Sequence, residues 1–442
     1  MLLVGNGLVI TRDDKNTIIQ DGCVAIQDNL IVEVGSTAEL KGKFHAARFI
    51  DAEHKLIMPG LINTHMHFYS TFARGMASKS APPTNFLEIL ERLWWKLDKV
   101  LTLDDIYYSA MIPIIDCIKT GTTTVFDHHA SPNTVHGSLF KIAEATGEAG
   151  LRSCLCYEVS ERDGGQIADY GIQENIDFIN YCNQEKNPLL KGMFGLHASL
   201  TLSDRILDKC VNENNATGAG FHIHAAEGIQ DLQDAKDKYG MGVVERLDAR
   251  GILGEKSIAV HCVHISPQEI EILKNSGTNV VHNPESNMGN AVGVSPVLEM
   301  FHHGVRMGLG TDGYTSDMFE SFKAANCLHK HASQHPSAAW GEIPHMLFEN
   351  NRKIAAEYFE KPVGRLATGA YADLIVVDYF PPTRLSAENV NSHLLFGVSG
   401  RSVETTVING QVVMENRKLT TLDEEAICTK SRELADKLWE RI

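Results

Sequence analysis

No stretch of this chain approaches 18 uninterrupted apolar residues, so no membrane-spanning helix is expected. Paired cysteines are missing too. The nine cysteines are scattered, an odd number with no C-x-x-C, which reads as a reducing, cytoplasmic compartment. Basic residues are in deficit: 40 Lys and Arg against 56 Asp and Glu leave a formal charge of -16. That balance argues against broad nucleic-acid binding and against docking on an anionic membrane. The N-terminal segment is apolar but has no basic n-region and no small-residue cleavage signal, so it reads as a strand rather than a signal peptide. What is present is an ordinary soluble composition, 43% hydrophobic with a mean hydropathy of -0.14. At 442 residues it suffices for two or three domains, or for one large barrel with an appendage.

Residues 1–56 read as short strands and turns, the first part of a small β-sandwich domain. Leu2-Leu3-Val4 and Leu8-Val9-Ile10 flank Gly5-Asn6-Gly7, which predicts a hairpin, and a second strand pair surrounds Asp28-Asn29. From residue 57 the pattern changes. Eight apolar runs, at 61–67, 124–128, 155–158, 193–197, 221–224, 258–261, 278–282 and 305–312, alternate with segments of helical period such as 138–149, 203–214, 268–276 and 296–303. Strands alternating with crossover helices pair in parallel, and eight units predict an α/β fold: a (β/α)8 TIM barrel over 57–362. Two insertions interrupt it. One, 68–104, is long enough for a lid or binding loop and carries Arg74, Trp94 and Trp95; the other, 159–173, reads as a polar, Gly-rich surface loop. Strand-like segments within 363–420, with an Asn409-Gly410 turn, complete the discontinuous small domain, and 421–442 reads as a C-terminal helix.

Six of the eight runs end in or beside histidine: His65/His67, Asp127/His128/His129, His197, His224, His261 and His282. The last ends in Asp312; the third, at Tyr157-Glu158, contributes less clearly. In such barrels the strand C-termini share one rim, where active sites lie. His65 and His67 at i, i+2 point the same way from a strand. Asp312 on the eighth strand neighbours the first in a closed barrel. Three imidazoles and a carboxylate suit one divalent ion, Zn²⁺ first, with Fe²⁺ or Mn²⁺ as alternatives. Glu227, three residues past His224, stands beside such an ion as a proton carrier. His222 shares the parity of His224 one layer deeper and reads as a buried, hydrogen-bonded histidine. Ser286-Asn287 reads as a brace for the seventh loop.

The order Pro-Gly-Leu-Ile-Asn-Thr-His-Met-His at 59–67, His224-Ala225-Ala226-Glu227, Ala259-Val260-His261-Cys262, His282-Asn283-Pro284-Glu285-Ser286-Asn287 and Gly310-Thr311-Asp312-Gly313 resembles the amidohydrolase superfamily. The likeness is to its deaminase/chlorohydrolase branch and within it to the SsnA-type aminohydrolases. Gly369-x-x-Ala372-Asp373-Leu374-Ile375-Val376 extends it to the small domain. The resemblance implies His65, His67, His224 and Asp312 as metal ligands, with Glu227, His261 and Asp312 catalytic. His197 would reach the substrate, and Arg74, His128 and Trp95 are further candidates for lining its pocket. The fourth strand has no lysine at its end (Lys191 is at its start), which favours one metal over two. The implied reaction is loss of an amino group from a purine, pyrimidine or related N-heterocycle by attack of activated water. A chlorohydrolase or other amidine hydrolase of triazine-like substrates, and a non-catalytic ligand-binding protein, are the alternatives. The expected partner is that small molecule, with no nucleic acid and no membrane, and a homodimer is the default assembly.

Overall fold

The structure, a computed structural model, describes residues 1–77 and 80–442; Ser78 and Lys79, within the 68–104 insertion, lie outside the described residues. Among the described residues the eight expected runs form eight parallel strands: Leu61–Met66, Thr122–His129, Arg152–Tyr157, Phe194–Ala198, Phe221–Ala225, Ile258–His261, Asn279–His282 and Met307–Leu309. The first three pair with one another, as do the last five. A bridge from Val159 to Leu196 joins the two groups, and one from Met66 to Asp312 closes the ring. The strands are buried from end to end, as a barrel enclosed by helices requires.

The crossover helices begin and end where local chemistry dictates. Ser203 caps Asp204–Asn214, and Ser266 with Glu269 makes a capping box for Pro267–Ser276. The 159–173 insertion departs from its expected loop. A helix, Gly165–Glu185, takes up its second half, because Ala168, Ile172, Phe178 and Ile179 form an apolar stripe buried against the barrel. Only the short turn before Gly164 remains irregular.

The small domain is one nine-stranded sheet made from both ends of the chain. Leu56–Pro59 pairs antiparallel with Leu374–Val377, so the sheet's strand extends past residue 56. Asn409-Gly410 makes the expected tight turn, both residues having positive φ. The Gly5-Asn6-Gly7 hairpin does not form. Leu2–Ile10 is a single strand with a bulge at Asn6, whose φ is 57°. The bulge lets the strand change partners, pairing with Arg48–Asp51 before it and with Leu56 and Ile57 after it.

Arg152 at the start of the third barrel strand reaches Asp373 of the small domain through Nε (2.8 Å) and Nη2 (3.0 Å), with both side chains buried. Asp373 also accepts the backbone N–H of Asn409 at 2.7 Å. The C-terminal helix Glu424–Arg441 is capped by Asp423 and buries Ile427, Leu434 and Leu438. Among the described residues no helix is long and apolar enough to cross a membrane.

Candidate active site

The strand ends converge. His67 Nε2 lies 3.2 Å from His224 Nε2 and 3.1 Å from Asp312 Oδ1; His65 Nε2 lies 3.7 Å from the same oxygen. Each imidazole is oriented from behind. His67 Nδ1 donates to the carbonyl of His128 at 2.5 Å and His224 Nδ1 to the carbonyl of His197 at 2.8 Å. A carbonyl only accepts, so both rings carry a proton on Nδ1 and present Nε2 to the cluster. His65 Nδ1 is held 2.9 Å from Nε2 of His222, the deeper partner, while its own Nε2 is buried with no hydrogen-bond partner.

Backbone strain helps to place these groups. Ala226, His261, Cys262 and Asp312, at or just past strand ends, have φ between 47° and 72°. Such conformations cost on the order of 1–3 kcal/mol each and persist only where the surroundings impose them. The main-chain N–H groups of Thr311 and Asp312 both reach the carbonyl of His65 at 3.0 Å. Gly310 allows this approach, since a Cβ there would stand 2.6 Å from Asn283 Oδ1 and 2.8 Å from the His65 carbonyl.

The ligand chemistry fits a divalent ion. Imidazole nitrogens and a carboxylate oxygen converge around His65, whose buried Nε2 has no hydrogen-bond partner, and three sets each have ligand atoms within 4.8 Å of one another: His65, His67, His128 and His224; His65, His261 and Asp312; and Glu158, His197 and His224. The electrostatics ask for positive charge. Burial lowers the His67 pKa, but the hydrogen bond and charge of Asp312 outweigh it and push it to about 9. Burial likewise opposes ionisation of Asp312, yet its interactions with His65 and His67 hold it well below the usual carboxylate range.

Beside the cluster, Glu227 Oε2 lies 3.4 Å from Nε2 of His261, which in turn is 3.7 Å from Asp312 Oδ2. Burial first, then the charge of Asp312, pushes the Glu227 carboxyl well above its usual range. His261 Nδ1 is fixed by Asn287 Oδ1 at 2.7 Å. Asn290 donates to Glu227 at 3.4 Å, and Ser286 donates to Asp312 Oδ2 at 2.5 Å. Asp231 braces the same loop by accepting the N–H groups of Ala226 and Leu200.

His67, His224, Glu227, Asp231, Ser286, Asn290 and Asp312 border one cavity. Phe86, Leu90, Trp94, Trp95 and Tyr314 give it apolar and aromatic walls, and His197 also lines it. Two of the expected substrate contacts lie elsewhere. Arg74 is largely exposed and faces Asp116 at 3.5 Å, because its segment turns outward over the helix Leu103–Thr120. His128 is fully buried behind the cluster, its Nε2 3.0 Å from the carbonyl of His222. It belongs to the layer under the site rather than to the cavity wall.

Other residues beside the cluster were weak or unread in the sequence. Glu158 lines the cavity at the third strand end, where the only signal was its place after Tyr157. Ser286 touches Asp312 directly instead of merely bracing the seventh loop. Asn290 and Asp231 had no signal beyond proximity to recognised motifs.

Residues 56–413 match the model of the Amidohydrolase family. Over its whole length the chain is 33% identical to a 5'-deoxyadenosine deaminase of Methanosarcina mazei, covering 99% of that protein. It is 34% identical to a 5-methylthioadenosine/S-adenosylhomocysteine deaminase of Pelotomaculum thermopropionicum, again over 100% of this chain and 99% of the relative. The crystal structure of an adenosine deaminase from Xanthomonas campestris with bound zinc superposes with a TM-score of 0.88 at 22% identity, covering 99% of this chain and 98% of the other, and shares the fold. The chain belongs to the amidohydrolase family, as a metal-dependent hydrolase acting on carbon–nitrogen bonds other than peptide bonds.

Proposed function

We propose that this protein removes the amino group from an aminopurine, with an adenine nucleoside as the substrate class, releasing ammonia. The observation that carries the reading is the placement of Glu227 and His261 against the His65, His67, His224 and Asp312 cluster at the floor of an aromatic-walled cavity. The names of the two relatives, both full-length matches, supply the purine. The SsnA-type resemblance implies the same ring-amine chemistry without naming a ring.

His65, His67, His224 and Asp312 would hold one divalent ion, Zn²⁺ by ligand type. When bound, such an ion lowers the pKa of water so that hydroxide is available near neutral pH. Asp312, with Oδ2 fixed by Ser286, accepts the proton of the attacking water. Glu227 donates a proton to the ring nitrogen beside the reacting carbon, takes up the proton of the added hydroxyl and passes it to the departing amine, and the proton held by Asp312 then restores its own. His261 steadies the charge that develops on the attacking oxygen. Trp95 and His197 line the space for the rest of the substrate.

Ammonia release from a panel of aminopurines, aminopyrimidines and their nucleosides tests this. The expected result is turnover of 5'-deoxyadenosine-like compounds and a fall in kcat of about 10²–10⁴-fold in Glu227→Gln, the usual contribution of a general acid–base. Full activity in Glu227→Gln removes its role. Turnover confined to chlorinated triazines replaces the amine with another leaving group.

A further inference from the structure

On the third- and fourth-strand side of the cavity, two hydrogen-bond acceptors approach one another with no donor between them. His197 Nδ1 lies 2.8 Å from Thr201 Oγ1, and the Thr201 hydroxyl donates to the carbonyl of Ala198 at 3.1 Å. Thr201 therefore accepts from Nδ1–H, which leaves a lone pair on His197 Nε2. That nitrogen stands 3.8 Å from Glu158 Oε2, beyond hydrogen-bond reach. Both side chains line the cavity.

The other oxygen of Glu158 is no better served. Oε1 is buried and has no hydrogen-bond partner among the described residues; the ring nitrogens of His128 and His67 stand 3.3 and 3.4 Å away without the alignment of a bond. Asp98, also on the cavity wall, is neutralised by a buried ion pair with Arg162. Among the described residues Glu158 has no such Lys or Arg, and none of them lines the cavity. A buried carboxylate is costly unless donors meet it. His128 and His67 face Oε1, which leaves Oε2, opposite His197, to a donor that enters the cavity.

We propose that Glu158 and Nε2 of His197 form a donor-recognition subsite, accepting hydrogen bonds from an amino or hydroxyl group of the substrate other than the amine that leaves. The inference rests on the deaminase reading and deepens it, making Glu158 a specificity-determining residue. A neutral or cationic donor satisfies the pair. A phosphate or carboxylate brings only acceptors and is repelled. The donor can be a second ring amine or a sugar hydroxyl, and one experiment separates these sources.

The test compares kcat/KM within two pairs, adenosine against 2'-deoxyadenosine and 2,6-diaminopurine against adenine, for the metal-loaded wild type, Glu158→Leu and Glu158→Gln. In one pair the compound with the extra donor should be favoured about ten- to hundred-fold, the worth of a hydrogen bond to a charged group. The preference should collapse in Glu158→Leu, with metal content unchanged, and survive in part in Glu158→Gln, which keeps one acceptor. Equal rates within both pairs for the wild type overturn the proposal. So does a preference that persists in Glu158→Leu while metal is lost or all substrates slow alike, because that describes a residue that only props His67 and His128. If no aminopurine turns over, the deaminase reading falls, and calorimetric affinities of the same pairs decide the subsite: a preference lost in Glu158→Leu supports it, and no preference or no binding sinks it.

Discussion

Ser286 donates a 2.5 Å hydrogen bond to Oδ2 of Asp312, while the N–H of Gly313 holds Oδ1 at 2.8 Å. Both oxygens of the carboxylate are thus pinned, one turned toward His261 and the other toward His65 and His67. Ser286→Ala frees Oδ2. Its expected effect is a fall in kcat of about ten- to hundred-fold, the worth of one hydrogen bond to a charged group, with little change in KM. Steady-state kinetics beside metal analysis check this, and an unaltered kcat would show that Asp312 is positioned without the serine.

Removal of the metal should silence the protein and loosen it. Dialysis against a chelator is expected to abolish turnover and lower Tm, since an ion bound only to the folded state stabilises it by about 2.7 kcal/mol at one hundred times its Kd. Adding back Zn²⁺, Fe²⁺ or Mn²⁺ in turn should restore both. Metal analysis of the gently purified protein should find one ion per chain; two would contradict the set His65, His67, His224 and Asp312 acting as a single site.

The Arg152–Asp373 pair ties the barrel to the small sheet in a buried setting. Arg152→Ala leaves Asp373 without its cation and should cost about 3–5 kcal/mol of stability. Denaturant unfolding measures the loss. Arg152 starts its strand, at the end away from the catalytic rim, so residual folded protein should keep its KM.

Glu285 offers a pH test outside the metal cluster. Burial, reinforced by Glu320 and Asp317, pushes its carboxyl up to about 8 from an ordinary 4.5. The unfolded chain therefore gives up this proton first. The contribution to stability is fully present below about 4.5, declines as pH rises and is gone above about 8. Glu285→Gln lacks the decline, so its Tm should gain on the wild type across that window. A constant difference between pH 4.5 and 8 would show that the group titrates normally.

Much of the barrel was legible because its signals are local. Side chains alternate along a strand with period two, so His65 and His67 had to share a face, and the recurrence of polar strand ends at crossover spacing marked one rim. The Gly5-Asn6-Gly7 segment shows the limit of local reading. Its residues accept a turn or a bulge equally well, and the choice fell to the partners Arg48–Asp51 and Leu56–Pro59, which the segment itself does not specify. Arg74 and His128 were placed near the chemistry by sequence proximity, yet one follows its segment out to Asp116 and the other lies in a deeper layer.

By itself the sequence determined the number of barrel strands and the order of the candidate ligands and proton carriers along them, and hence the kind of chemistry to look for, since each depends on spacing along one strand or one crossover. Only the tertiary structure decided that Ser286 grips Asp312, that Glu158 faces His197 without a donor, and that Arg162 is spent on Asp98. These relationships join segments far apart in the chain. They follow from how buried charges find partners once the strands have closed, a balance of desolvation against pairing that no single stretch of sequence contains.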